Sequence, residues 1–303
     1  MKTLPFLPLL SSLLPLLPRR TGPRNAWLSS ALLRATALEL VVLAGHALIY
    51  PTGITGERRT PPRPAAEPVP APPGTTALPG AHAGSAEHIG HPDRPPVVFL
   101  HGFIDNRSVF VLLRRSLARH GWRHLESLNY SPLTCDIRTA AELLGRHVEE
   151  ICARTGHREI DIVGHSLGGL IARYYVQRLG GDRRVRTLVT LGTPHAGTAV
   201  APLAGVLPIV RQMRGGSAPI EELRLPAPGC RTRFISFWSE LDQVVVPAEA
   251  ACVDHPDLDA TNVRVSGIGH LALPVHPAVA AGVRQALDAD GPAREATGAA
   301  SVA

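Results

Sequence analysis

Glu159-Ile160-Asp161-Ile162-Val163-Gly164-His165-Ser166-Leu167-Gly168-Gly169-Leu170 decides the reading of this chain. Glu159–Val163 is a short, largely apolar run of the kind that forms a buried strand. The residues from Leu167 to about Leu179 carry a helical pattern, so Ser166 stands at a sharp strand-to-helix turn. A nucleophile on such a turn has strained backbone geometry, and its neighbours two residues away on each side must be small. Gly164 and Gly168 meet that need. The turn lifts the Ser166 hydroxyl above the strand ends, where open parallel sheets bind ligands, and the new helix aims its first amides at the same place.

The same alternation continues outward in both directions. Val97–Leu100 is an apolar run that ends in His101-Gly102-Phe103, a buried strand and its loop. Asn106 or Ser108 caps a helix to about Arg119, and a strand follows near Leu125–Asn129. Asp136–Arg154 is the clearest helix, because Ile137, Ala141, Leu144, Val148 and Ile151 recur at spacings of four and three. Beyond the serine turn, Arg186–Leu191, Arg233–Trp238 and Asn262–Val265 read as strands and Pro277–Leu287 as a final helix. Strands alternating with helices predict an α/β fold, a mostly parallel sheet with helices on both faces.

Composition divides the chain. It has 303 residues, 45% hydrophobic and 18% charged. Of its 29 prolines, 17 precede Val97, which separates a Pro-rich leader from a remainder large enough for a full core. Residues 1–59 form a hydrophobic leader, 60–95 a Pro-rich linker, 96–290 the catalytic domain and 291–303 a flexible tail. Met1–Pro18 is Leu- and Pro-rich, a poor signal peptide because prolines interrupt it. Residues 26–50 are long and apolar enough for a membrane helix, although Arg34 and Glu39 are charged and His46 is polar. Three arrangements fit: spanning, lying on the membrane surface, or packing on the domain. The location that follows is membrane-associated or secreted, in the cell envelope.

The net charge is +6, and Lys2 is the only lysine. The arginines are scattered and form no basic stripe interleaved with aromatics, which argues against nucleic acid as a partner. Cys135, Cys152, Cys230 and Cys252 form no CxxC, so no zinc site is expected. Cys230 and Cys252 flank a strand and its loop. They fit either a disulfide or two separate buried thiols.

A serine nucleophile needs a base, and the base needs an orienting acid. In α/β-hydrolases, whose serine turn this one resembles, the acid and then the base follow the nucleophile in the chain. His270, in Ser266-Gly267-Ile268-Gly269-His270, hangs between the last strand and the last helix and is the candidate base. His195 reads as structural or pocket-lining, and His276 as a helix start. Asp242, in the loop after Arg233–Trp238, is the candidate acid, with Glu240 its local competitor. The oxyanion hole needs two backbone amides. Leu167, next to the nucleophile, supplies one, and Phe103, beside the permissive Gly102, supplies the other. His101 then shapes its loop.

Three blocks together, Val97–Phe103, Gly164–Leu170 and Thr190-Leu191-Gly192-Thr193-Pro194-His195-Ala196-Gly197, resemble bacterial triacylglycerol lipases and esterases of the α/β-hydrolase fold. The eukaryotic lipid deacylases that trim GPI anchors look like more distant relatives. The resemblance spans about Val97 to Leu287. It implies a carboxylic ester hydrolase of lipid metabolism, with acyl esters of lipids as substrates, Ser166, Asp242 and His270 as the triad, and Phe103 and Leu167 as oxyanion amides. No cofactor is implied. Many secreted bacterial lipases hold calcium through an Asp two residues after the catalytic His. Here that residue is Ala272, so no such metal site is expected. Residues between Pro194 and Cys230, including Val200, Leu203, Val206, Leu207, Ile209 and Val210, fit a short lid, an acyl-pocket wall or an ordinary crossover. An acyltransferase on the same triad and a non-catalytic, membrane-tethered binding protein are the competing readings.

Overall fold

The structure is a computed structural model that describes residues 23–53, 94–103, 105–130, 136–200, 208–289 and 301–302. Helix α1 (Pro23–Ile49) ends in a 3-10 turn at Tyr50–Gly53. After it come β1 (Val97–Leu100), a 3-10 turn (Arg107–Phe110), α2 (Val111–Arg119), β2 (Leu125–Leu128), α3 (Ile137–Thr155), β3 (Ile160–His165), α4 (Leu167–Arg178) and β4 (Val185–Leu191). The chain continues through α5 (Pro208–Gln212), α6 (Ala218–Glu222), β5 (Arg233–Trp238), β6 (Asp259–Val265), α7 (Pro277–Asp288) and the two-residue β7 (Ser301–Val302).

All strand pairs are parallel, in the order β2-β1-β3-β4-β5-β6-β7. Strand parity explains the two cores. Val98 and Leu100 of β1, Ile160 and Ile162 of β3, Leu188 of β4 and Phe234 of β5 face one side, where α3 and α4 cover them. Val97, Phe99, Val163, Val189, Leu191, Ile235 and Phe237 face the other, against α2 and α7. The expected stripe of α3 is buried, and the helix is closed at both ends. Asp136 accepts from the Thr139 amide at 2.7 Å, and Gly156 ends it at φ 76°.

β6 starts at Asp259, three residues before the expected Asn262. Its early residues alternate between exposed and half-buried, which hides a strand from an apolar-run criterion. Cys152, Cys230 and Cys252 are free thiols, Cys152 buried and Cys230 and Cys252 half-buried. In the segment before Cys230, Ile209 and Val210 of α5 and Ile220 of α6 are buried in the core. The expectations for residues 1–22, most of the 60–95 linker, Cys135, Leu203, Val206, Leu207 and residues 290–300 lie outside the described residues.

Helix α1 packs on the α/β domain. Leu38 and Val42 join the core beneath α2 and α7, and Ala35 is buried. The following turn is bonded to the loop after β1 and to β2's end. Asn106 donates to the Tyr50 carbonyl at 2.8 Å, and Asn129 to that of Gly53 at 2.9 Å.

Candidate active site

β3 runs directly into α4 through Ser166, which has φ 52° and ψ −120°. Among the described residues it is the only non-glycine with positive φ. An L-residue is held there only when its surroundings fix the backbone. Those surroundings are tight. A Cβ on Gly164 would lie 2.6 Å from the Cα of Gly169, and one on Gly168 would overlap the Leu100 carbonyl. The Ser166 amide donates to the Leu191 carbonyl at 2.9 Å, and Thr193 Oγ1 donates to the Ser166 carbonyl at 3.0 Å. The Leu-Gly-Thr-Pro block after β4 therefore braces the turn.

Asp242 and His270 meet across 28 residues. His270 Nδ1 donates to Asp242 Oδ2 at 2.7 Å, and both side chains are buried. Asp242 Oδ1 accepts from the Val244 and Val245 amides, each at 2.8 Å. This fixes the carboxylate and its orientation. Burial alone would lower the His270 pKa. The charge and hydrogen bond of Asp242, with Glu39 and Asp105 nearby, outweigh it and raise the pKa above its ordinary value. The imidazole lies over the strand ends, where a Cβ on Gly192 would come within 2.9 Å of Nδ1. Glu240 instead pairs with Arg264 at the surface, which separates it from Asp242 as an acid.

His195 is buried with Nε2 3.0 Å from Thr190 Oγ1, and burial beside Arg173 holds its pKa well below normal. His276 caps α7. His101 stacks on Tyr130 with ring centroids 4.5 Å apart, and Tyr130 donates to its carbonyl. Gly102 lies against Ser166, since a Cβ there would be 3.3 Å from the serine Cβ. Phe103 follows it, and Leu167 opens α4 on the other side of the serine.

Several neighbours were not singled out from sequence. His165 Nδ1 lies 3.1 Å from Asp105 Oδ2, and its Nε2 lies 3.3 Å from the His270 carbonyl. The rings of His165 and His270 are 4.9 Å apart. Burial would raise the Asp105 carboxyl, but the hydrogen bond and charge of His165, with His46 and His101 nearby, hold it below the usual range. From α1, His46 Nδ1 stands 3.8 Å from Asp105 Oδ1. Glu39 Oε2 and Oε1 accept from the Leu271 and Ala272 amides at 2.8 and 2.9 Å.

This fold with a strained serine at the β3–α4 turn defines a class, the α/β-hydrolases. Residues 95–227 match the family described as alpha/beta hydrolase fold. It is similar to a triacylglycerol lipase of Pseudarthrobacter phenanthrenivorans, 28% identical over 115 residues, which is 36% of this chain and 35% of that protein. It is also similar to a triacylglycerol lipase of Vibrio cholerae, 32% identical over 121 residues, 38% of each. The chain thus matches little more than a third of the length of these curated relatives. Among solved structures, Aspergillus fumigatus lipase B has a TM-score of 0.60 at 18% identity, covering 78% of this chain and 64% of that one. The mature form of a Bacillus licheniformis lipase has a TM-score of 0.57 at 18% identity, covering 65% and 93%. These two structures share the fold.

Proposed function

We propose that this protein is a serine carboxylester hydrolase of the lipase and esterase kind, cleaving acyl esters of lipids. The observation that carries the reading is the 2.7 Å bond from His270 Nδ1 to a doubly anchored Asp242, set beside a serine at positive φ. With Nδ1 committed to Asp242, Nε2 is the nitrogen left for the Ser166 hydroxyl. Ser166 Oγ attacks the acyl carbonyl and its proton passes to His270. The Phe103 and Leu167 amides receive the oxyanion. Collapse breaks the ester C–O bond, and His270 protonates the leaving alcohol. Water then attacks the acyl-enzyme with His270 as base, and the fatty acid leaves. The lipase names of the relatives support the lipid acyl class of substrate.

The test is turnover of p-nitrophenyl esters from acetate to palmitate by the full chain. A rate maximum on long chains makes it a lipase, and one on short chains an esterase. Folded protein that turns over none of them overturns the reading. The pH profile follows from His270, which must be neutral to accept the proton. Its raised pKa places the acid limb of kcat/KM above about pH 6.5, the ordinary histidine value. An inflection at or below that value contradicts the assignment of His270 as base.

We also propose that α1 holds the enzyme on a lipid surface. Its inner side carries Glu39 and His46 toward the domain. Its outer side leaves Leu33, Leu40, Val41 and Leu48 exposed at 67, 54, 68 and 81%. By length and composition Ser30–Gly53 is sufficient to cross a membrane. Glu39, however, bonds to a loop of the folded domain from the middle of that segment, so α1 fits lying on the surface with its outer face in lipid. The expected result is that the protein floats with phospholipid vesicles. Leu40→Ser/Leu48→Ser lowers vesicle partition by about 10-fold or more and leaves turnover of water-soluble p-nitrophenyl butyrate unchanged. Equal partition of wild type and variant would dismiss the outer face as the contact.

A further inference from the structure

We propose that Glu39 is a positioning residue of the active site, delivered by α1 to hold the loop that carries His270. The proposal rests on the reading of Ser166, Asp242 and His270 as a triad. Glu39 lies 231 residues before His270, on a helix whose described residues are otherwise mostly apolar. Its two carboxylate oxygens accept from the amides of Leu271 and Ala272, the two residues that follow the base. The loop leaves room for it. A Cβ on Gly269, just before the base, would come within 2.7 Å of the Glu39 Cδ. Any larger residue at 269 would push the carboxylate off the loop.

A carboxylate on the protein-facing side of an apolar helix is unfavourable unless it is bonded. Here successive amides satisfy it, and both contacts require oxygen acceptors. The position is thus built for an anion on the main chain of the His270 loop. At Ala272, the second residue after the base, the amide donates to Glu39. The rotation of His270 about its bond to Asp242 is then limited at both ends. Asp242 holds the ring, and Glu39 holds the backbone from which the ring projects.

The charge acts as well as the bonds. His270 is faced by Asp242 from the loop after β5, Asp105 from the loop after β1, Glu39 from α1 and the His165 ring from β3. Glu39 is itself faced by His270 and Asp242. Burial, with the Asp242 charge, raises the Glu39 carboxyl above its ordinary value, and the two amides and His270 limit the rise. As an anion it favours the imidazolium that forms when His270 takes the serine proton, in the same sense as Asp242. Helix α1 is thus part of the catalytic apparatus.

The experiment compares wild type with Glu39→Gln, Glu39→Asp and Glu39→Ala in the full chain. The readouts are p-nitrophenyl butyrate turnover across pH and the His270 titration by NMR of protein labelled with nitrogen-15 histidine. Gln preserves size but opposes an amide N–H with an NH2 donor, and it carries no charge. Glu39→Gln is expected to lower kcat by roughly 10²-fold, the scale of an ångström's misplacement of a catalytic group, with KM changed little. The acid limb and the His270 titration both move to lower pH, because a charge that favoured the imidazolium is gone. Asp restores part of kcat and part of the shift. Wild-type kcat in Glu39→Gln, or a fall in kcat with the His270 titration unmoved, overturns the proposal. Should Ala unfold the protein, Gln and Asp decide. Full activity in Ser166→Ala would instead overturn the triad reading. The NMR titration still decides the Glu39–His270 coupling in that case, since it needs no substrate.

Discussion

In the Ser166→Ala variant, turnover of p-nitrophenyl butyrate falls by about 10⁵-fold or more, the scale of loss when a triad nucleophile is removed. The substitution is clean because it spares the fold. Alanine keeps the Cβ and adopts the same strained φ of 52°, which the braces at Leu191 and Thr193 impose through the main chain. Only Oγ is lost, so what activity is left comes from the oxyanion amides and binding alone. Asp242→Asn separates the acid from the nucleophile. Its side-chain oxygen can still accept from the Val244 and Val245 amides, leaving the NH2 to face His270 Nδ1. That reverses the imidazole tautomer and puts the proton on the nitrogen that must accept one, at a cost of about 10⁴-fold in kcat. Both variants should unfold at the wild-type urea midpoint within the precision of the measurement. Retained activity in Ser166→Ala would place the nucleophile elsewhere, and retained activity in Asp242→Asn would free His270 from dependence on its partner.

Much of this architecture could be read from the sequence because the α/β domain obeys local rules. The apolar runs at Val97–Leu100 and Ile160–Val163 are strands buried on both faces, and the α3 stripe covers one of them. Gly164 and Gly168 flank Ser166 for a steric reason that the backbone contacts bear out. Placement between the last strand and the last helix singled out His270, and the loop after Arg233–Trp238 held Asp242 with Glu240 beside it; the structure brings Asp242 and His270 within 2.7 Å. Helix α1 obeyed no such rule. Periodicity distinguishes water from protein, and α1 reverses the usual pattern by turning Glu39 and His46 inward and Leu40 and Leu48 outward. Read from sequence, those polar residues were a cost against a membrane span. In the structure they are contacts with the domain. Asp105 and His165 were missed for a related reason. Each sits inside a motif whose neighbours already had roles, and only their spatial meeting gives them one. No spacing in the chain announces that Glu39 meets Ala272.

Truncating Arg186 is expected to destabilise the domain by about 3–5 kcal/mol, the cost of removing one partner from a buried ion pair. Asp161 is fully buried in β3, with β1 on one side and β4 on the other. Arg186 on β4 forks onto it, Nε to Oδ1 at 3.0 Å and Nη2 to Oδ2 at 2.7 Å. The same Nη2 donates to the Leu287 carbonyl at 2.7 Å and so ties the last turn of α7 to the sheet. Burial raises the Asp161 carboxyl above its ordinary value, and the hydrogen bonds and charge of Arg186 limit that rise without cancelling it. In Arg186→Met the opposition is gone, so the folded protein, which already holds the Asp161 proton more tightly than the unfolded chain does, holds it more tightly still. An acid with a raised folded pKa favours the folded state at low pH, and that contribution is lost as pH rises through the unfolded and then the folded value. The deficit of Arg186→Met is therefore largest at neutral and alkaline pH and shrinks on acidification. With total stability of a domain near 5–15 kcal/mol, it removes a large share. Asp161→Leu/Arg186→Met leaves no buried charge and should recover most of the loss, because the pair's attraction is offset by its own desolvation. Urea unfolding of the wild type, Arg186→Met and the double variant at two pH values measures all three. If Arg186→Met lies within about 1 kcal/mol of wild type, the range of an exposed pair, water reaches Asp161 and β3 is less tightly enclosed than its burial implies.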